Sequence, residues 1–434
     1  MRFITLWIAA FGFLLGTSSH AQDLAGDYQG TLQAGPQQLR LIARIKHAEG
    51  TGWMGAVYSL DQGNDWGASI PITSISVDGK QLKFAVEAVR GTYEGTVNAD
   101  ATTITGIWTQ RQSSLPLVFE RPTPATAWKD PATHTIQFVT VDKNVNLEVL
   151  DWGGSGQPLV FLAGLGNTAH VFDKFAPQFV ATHHVYGITR RGFGDSSVPS
   201  DGYTADRLGD DVLAALGTLK LNRPVLVGHS LAGEELSSIA SRHPDRVSGL
   251  IYLDAGYWYA FYDSAHGSLN LDVIELRQKL EKLEMGNGPP DSRPLIKELM
   301  ETDLPRLQRD LQAKQKELDA TPRPMLAMQA EAGASMAVHA IVEGSQKYTH
   351  LSFVPTLAIY AVPHDFGPML ANDPSGRAAF EAQDEVSTGN QASAFEKGVP
   401  SARVVRLPHA NHYVFRSNEA DVLREMNAFL AGLK

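Results

Sequence analysis

Residues 226–235 read LVGHSLAGEE, which places Ser230 where a strand-like apolar run, PVLVG, gives way to a helix-like one, SLAGEELSSIASRHP. Gly228, Ser230 and Ala232 fit the G-x-S-x-G turn, with alanine in place of the last glycine of the strict pattern. Such a turn holds a nucleophile in a strained conformation and needs small neighbours, because the backbone passes close on both sides. A serine so placed is useful only if the chain also supplies a base, an acid to orient that base, and donors for an oxyanion.

Outward from this turn, PLVFLAG, HHVYGIT, VSGLIYLDAG, PTLAIYAV and ARVVRLP are short, nearly continuous apolar runs. Helix-period segments such as ADRLGDDVLAALGTL and EADVLREMNAFLAGL lie between them, and IQFVTVD with LEVLDW forms an opening hairpin. Buried parallel strands alternating with helices give this pattern, so residues 135–434 are expected to form a doubly wound, mostly parallel α/β sheet. Residues 257–352 hold no convincing strand. LDVIELRQKLEKLE sets Leu276, Leu280 and Leu283 at helical spacing among charges, which predicts a helical lid with a solvated charged face.

In this fold class the partners follow the serine in the order acid, then histidine. RVVRLPHANHYVF offers His409 and His412 before the last helix, and His412, nearer that helix, is the expected base. The acid is expected after the preceding strand, at Asp365 in PTLAIYAVPHDFG; Asp254, closing GLIYLD, is the competitor. Two backbone NH groups complete the set, from Leu231 after the nucleophile and from Leu165 in the glycine-rich FLAGLGNT loop. HANH also spaces two histidines as a metal pair, but no third ligand is near in sequence and the chain has no cysteine. Neither metal nor cofactor is expected.

The chain resembles the α/β-hydrolase fold superfamily over roughly residues 135 to 434, lid included, through FLAGLGNT, TRRGFGDSS, GHSLAG, PHD and HANH. The resemblance implies a serine hydrolase with Ser230 as nucleophile, His412 as base and Asp365 as acid. Ala163 stands where many members carry histidine, and Thr189 where many carry aspartate. Epoxide hydrolases and dehalogenases of this fold use aspartate at the position of Ser230.

Glu234 and Glu235 fall one turn into the nucleophile helix, where carboxylates suit the helix N-terminus. A structural role is the default expectation; the sharper alternative is that one of them, Glu234 in the expected site, faces the lid and selects a polar substrate, with Arg190 and Arg191 either as its partners or as surface charges. The cluster GYWYAFYD opens the lid, where Tyr257, Trp258, Tyr259 and Phe261 either pack an acyl or aromatic group or seal the lid to the core, with Tyr257 and Trp258 the expected substrate contacts. GFG in TRRGFGDSS lacks the glycine pattern of a nucleotide loop.

Residues 22–122 read as β structure throughout, in short runs such as GDYQGTLQ, LRLIARI and TITGIWTQ, with Asp78-Gly79 suited to a tight hairpin. A small antiparallel barrel or half-barrel is expected there. The proline-bearing stretch at 123–134 is a linker. Residues 1–21 have the layout of a cleaved signal peptide: Arg2, an apolar run from Phe3 to Leu15, and small residues ending at Ala21. That run is shorter than the roughly 20 residues needed to span a bilayer, so export to the periplasm or beyond is expected, without stable membrane insertion.

Hydrophobic residues at 43% and charged residues at 19% describe an ordinary globular chain, and 434 residues exceed one typical domain. The formal charge of −10 supplies no field drawing the protein to nucleic acid. The absence of cysteine removes disulfides and thiol catalysis. The expectation is a small-molecule ester or amide substrate, with a carboxylic ester foremost. An aminopeptidase, an amidase or a carbon–carbon bond hydrolase is the alternative within the fold. Of another class is a binding protein whose β-rich module captures a ligand or surface beside an inactive hydrolase domain. The complete set of site residues argues against that.

Overall fold

The computed structural model describes residues 24–34, 37–48, 52–60, 69–110, 113–128, 133–284, 290–320, 336–367 and 373–433. The leader expected at 1–21 lies outside these residues, as do positions 129–132 of the linker and 321–335 of the lid.

Nine strands build the N-terminal sheet: β1 (Gly26–Ala34), β2 (Gln37–Ala48), β3 (Gly52–Ser59), β4 (Ser69–Pro71), β5 (Ser74–Asp78), β6 (Gln81–Val86), β7 (Gly91–Val97), β8 (Thr103–Gln110) and β9 (Ser113–Glu120). They pair antiparallel in the order β4-β3-β2-β1-β9-β8-β7-β6-β5. The two end strands of that order, β4 and β5, are joined by Ile72 and Thr73 alone. Ile72 NH donates to Gly55 O of β3 at 2.9 Å and Thr73 NH to Ala85 O of β6 at 2.8 Å. A sheet whose ends share one short connection must curl round on itself. Its alternating inward residues, among them Tyr28, Leu41, Ile45, Leu82, Phe84, Tyr93, Ile104 and Phe119, fill a core of their own. The Asp78-Gly79 signal marks a real hairpin, with Asp78 opposite Gln81 and Gly79 at φ 56° in the turn.

The second sheet holds β10 (Thr135–Asp142), β11 (Val145–Gly154), β12 (Gln157–Leu162), β13 (His183–Ile188), β14 (Val225–His229), β15 (Gly249–Leu253), β16 (Thr356–Ala361) and β17 (Ala402–Leu407). Its order is β10-β11-β13-β12-β14-β15-β16-β17, antiparallel through the β10, β11 and β13 contacts and parallel from β13 onward. The central strands are apolar along nearly their whole length because both faces are covered. Val160, Leu226, Leu250, Tyr252, Ala358 and Tyr360 point into one core. Phe161, Val225, Val227, Ile251, Leu357 and Ile359 point into the other. Helices α1 (Ala205–Thr218) and α2 (Ala232–Arg242) cover the first face through Leu208, Val212, Leu236 and Ile239.

Between β15 and β16, the described residues form helices and loops and no strand: α3 (Leu269–Glu281), α4 (Arg293–Glu298), α5 (Leu304–Ala320) and α6 (Met336–Glu343), with a π-helical turn at Leu299–Asp303. The lid departs from its expected amphipathic pattern. Leu271 and Ile274 are its buried apolar anchors on α3, whereas Leu280 is 49% exposed. Its charges are not all solvated either. Asp272, Asp303 and Asp310 are buried. Lys279 Nζ lies 2.8 Å from each of Glu275, Glu298 and Asp303, and Lys347 pairs with both Asp272 and Glu275. Ion pairing adds to apolar packing in tying the lid helices together.

After β16 come α7 (Pro374–Gly398) and, after β17, α8 (Val414–Ser417) and α9 (Glu419–Gly432). The two sheets meet at the loop after β13. Arg44 of β2 pairs with Asp27 at 2.6 Å and also with Asp195, and Lys46 reaches Asp195 at 2.7 Å.

Candidate active site

Ser230 follows the last residue of β14 with φ at 52°, the left-handed region that costs a residue with a Cβ about 1–2 kcal/mol. Its NH donates to Leu253 O at 3.2 Å, and its carbonyl accepts from Gly233 NH at 2.9 Å as α2 begins. The turn is tight on every side. A Cβ on Gly164 would stand 2.9 Å from Ser230 Cβ and 3.0 Å from His229 Nδ1, so the FLAGLGNT loop passes directly over the serine. Leu165 follows Gly164 in that loop, and Leu231 follows Ser230. A Cβ on Gly233 would stand 2.0 Å from Ala255 O, which makes glycine obligatory there. Ala232 is fully buried, and its methyl is accommodated.

The His412 loop is pinned over this turn by two contacts. His229 Nε2 donates to His412 O at 3.0 Å, and Tyr413 hydroxyl donates to Asn167 Oδ1 at 3.1 Å. The rings of His229 and His412 lie 4.7 Å apart. Burial, followed by the neighbouring His412, pushes His229 down to about 3, so it is a neutral donor. His409, by contrast, is exposed.

The carboxylate at His412 is Asp254, which corrects the expectation of Asp365. His412 Nδ1 lies 2.6 Å from Asp254 Oδ2. Asp365 is exposed and turned outward, accepting from Gly367 NH at 2.9 Å and from Arg377 at 3.3 Å. The reason is local backbone. Asp254 follows β15 with φ at 47°, mirroring Ser230, and its side chain is fully buried. Asp365 instead spends its NH on Ala410 O at 2.7 Å, which lays its loop along the His412 loop with the carboxylate on the far side.

Asp254 is heavily bonded. Tyr257 hydroxyl donates to Oδ1 at 2.6 Å, Ala361 NH to Oδ1 at 3.0 Å, and His364 Nε2 meets Oδ2 at 2.8 Å. Burial alone would raise its carboxyl, but the hydrogen bonds from His364 and His412 outweigh it and hold it well below the usual range. Tyr257, expected at a substrate pocket, is partly exposed and commits its hydroxyl to Asp254. Trp258 packs edge-on to Tyr259 at 5.1 Å and against the lid anchors Tyr262, Leu271 and Ile274. Tyr259, named in the sequence only as part of the aromatic cluster, is the buried phenol beside Ser230 and has the serine as a hydrogen-bonding neighbour.

Asp254, His364 and His412 together could offer three metal ligands. Donor atoms held at 2.0–2.1 Å round a tetrahedral zinc stand about 3.3 Å apart. The separations of 2.6 and 2.8 Å onto one carboxylate oxygen are hydrogen-bond lengths instead.

The paired glutamates diverge, as neighbours on a helix must. Glu235 takes a bidentate, buried pair with Arg190, whose Nη2 lies 3.1 Å from Oε2 and also donates to Ala163 O at 3.0 Å. Arg190 thereby ties the loop over Ser230 to α2. Arg191 is held by Asp211 at 2.6 Å. Glu234 faces the lid segment and accepts from Ser345 Oγ at 3.0 Å, while its Oε1 has no hydrogen-bond partner among the described residues. Burial lifts its carboxyl to about 8, against the pull of Arg190.

The family profile described as alpha/beta hydrolase fold matches residues 157–418, and the chain belongs to that family. It is 30% identical over 101 residues to a 2-(acetamidomethylene)succinate hydrolase of Mesorhizobium japonicum, covering 23% of this chain and 36% of that protein. It is 31% identical over 121 residues to a bifunctional esterase/perhydrolase of Acinetobacter calcoaceticus, covering 27% and 44% respectively. These aligned stretches span less than half of either relative. The crystal structure of a membrane phospholipase A, described as a bacterial virulence factor, superposes with a TM-score of 0.45 at 19% identity, over 69% of this chain and 87% of that one.

Proposed function

We propose that this chain is an exported serine hydrolase that cleaves a carboxylic ester through an acyl-enzyme. The observation that carries the reading is the strained Ser230 turn, whose neighbour His229 lies 4.7 Å ring to ring from a histidine whose Nδ1 is already engaged by a buried carboxylate. With Nδ1 committed to Asp254, Nε2 of His412 is the nitrogen that takes the serine proton. The serine oxygen attacks the ester carbonyl, and the amides of Leu165 and Leu231 receive the oxyanion. His412 then returns the proton to the leaving alcohol. Water repeats the cycle to release the acid. Buried Asp254 orients the imidazole and offsets its transient charge.

An esterase among the relatives supports the ester reading, and a carboxylic ester needs no group beyond those named. Export rests on the leader-like residues 1–21, and no helix among the described residues is long and apolar enough to cross a membrane. The test is labelling with a fluorophosphonate probe. Wild type should label and Ser230→Ala should not; an unlabelled, folded wild type ends the reading. A panel of esters of increasing acyl length, run beside an aminoacyl amide, separates an esterase from an amidase or aminopeptidase.

A further inference from the structure

Ester hydrolysis by a Ser-His-Asp set requires one histidine on the carboxylate, and Asp254 holds two. His364 Nε2 meets the same oxygen of Asp254 that His412 meets. On its other side, His364 Nδ1 faces the two oxygens of Asp384 at 3.0 and 3.2 Å, and its NH donates to Asp384 Oδ2 at 2.8 Å. Asp384 is fixed in turn by Thr388 Oγ1 at 3.0 Å, one turn along α7. The result is an unbroken row, His412–Asp254–His364–Asp384, running from the site into α7.

A neutral imidazole has one donor nitrogen and one acceptor nitrogen. With carboxylates against both nitrogens, a neutral ring would set a lone pair against a lone pair, whereas the doubly protonated ring donates at both ends. We propose that His364 is a positioning residue of the reaction: a resident imidazolium, clamped between Asp254 and Asp384, that shares the charge of Asp254 and so lowers the basicity of His412. The proposal rests on the reading of His412 as base.

In a simple pair, the whole carboxylate charge stabilises the protonated base. Here part of that charge is already neutralised by His364, so less of it faces the ring of His412. The groups facing His364 are Asp254 and Tyr257 from the segment after β15, Asp384 from α7, and His412, its ring 6.2 Å away. Around His412 stand Asp254, His364, His229 and Tyr413, with Arg416 behind His229. Burial would strip the proton from His364, but Asp254 and Asp384 outweigh it and hold the ring up to about 10.

Two readouts on the full chain test this. In the first, histidine is labelled with nitrogen-15 and both rings are titrated by NMR in wild type, His364→Gln and Asp384→Asn. His364 should remain doubly protonated past neutrality in wild type and release its proton at least one unit earlier in Asp384→Asn. His412 should titrate about one unit higher in His364→Gln, since a cation within this range shifts a neighbour by that order. In the second, the acid limb of kcat/KM on an ester should move upward by the same unit in His364→Gln, a tenfold loss on the acid side. A purely structural role would lower activity evenly at all pH values and leave the limb in place. A neutral His364 at pH 7, or an unmoved His412 in folded His364→Gln, overturns the proposal. Should His364→Gln not fold, Asp384→Asn decides it by the His364 titration alone. Absence of fluorophosphonate labelling with these titrations intact would instead remove the hydrolase reading and leave the clamp standing.

Discussion

Nδ1 of His412 lies 2.6 Å from Oδ2 of Asp254, although the two residues leave strands β17 and β15, which flank β16 in the sheet. The carboxylate thus reaches across one intervening strand end to the histidine, and the loop after β16 contributes His364 where an acid is expected. Replacing Asp254 by Asn should lower kcat by about 10³–10⁴-fold, the order seen when the orienting acid of such a set becomes an amide. Asp365→Asn should stay within about threefold, since only Arg377 and Gly367 lose a partner. Steady-state rates of the two variants decide it, and a larger loss at Asp365 would reverse the assignment.

The glycine pattern of the turn makes an unequal pair of predictions. Ala232→Gly restores the strict motif but adds backbone freedom at the start of α2, and should destabilise by about 0.5–1 kcal/mol. Gly233→Ala drives a methyl into Ala255 O and should destabilise by about 3 kcal/mol. Urea midpoints of both variants test the order. Equal effects would mean that the backbone of this turn moves more freely than its contacts indicate.

Arg190 joins the loop over Ser230 to Glu235. Lysine cannot reproduce the two-pronged contact, and it leaves Glu235 buried with a poorer partner. Arg190→Lys should destabilise by about 3 kcal/mol, within the range for a broken buried pair. On the proposed mechanism it should also lower kcat more than it raises KM, because the loop proposed to receive the oxyanion loses its anchor at Ala163. A variant that loses stability but keeps kcat would separate the clamp from the chemistry.

Glu234 gives a pH dependence of definite sign. Burial raises its folded value to about 8, so the unfolded chain ionises at lower pH than the folded one. The stability associated with the protonated side chain is fully present below the unfolded value near 4.5 and drains away as pH rises towards 8. Glu234→Gln cannot ionise. Its advantage over wild type should therefore widen between about pH 5 and 8 by on the order of a few kcal/mol, read from melting curves across that range. A gap that stays constant with pH would place the charge of Glu234 elsewhere.

The fold and the tight turn at Ser230 were legible because their signals are local. A run such as PVLVG, apolar at every position, requires two covered faces, and a serine among small residues at its end requires a tight turn. The carboxylate at His412 was not legible by the same route. Asp254 and Asp365 both follow strands, and the choice between them rests on a left-handed φ at Asp254 and on a backbone bond at Asp365, neither of which has a residue signature. His364 lay in plain view in PHD, but its partner Asp384 is 20 residues away inside a helix with no motif of its own. The lid charges misled in the opposite sense: Asp272 and Asp303 have the sequence look of a solvated face, and only the three-dimensional convergence of Lys279 and Lys347 buries them.

The positive φ of Ser230 makes this residue a liability as well as an asset to the molecule. Glycine takes that conformation freely, so Ser230→Gly should melt later than Ser230→Ala, by about 1 kcal/mol in a urea titration. The hardiest version of this protein would then be one that has given up its chemistry. Any effort to toughen it by selecting for heat survival alone will drift towards inert variants unless turnover is scored alongside.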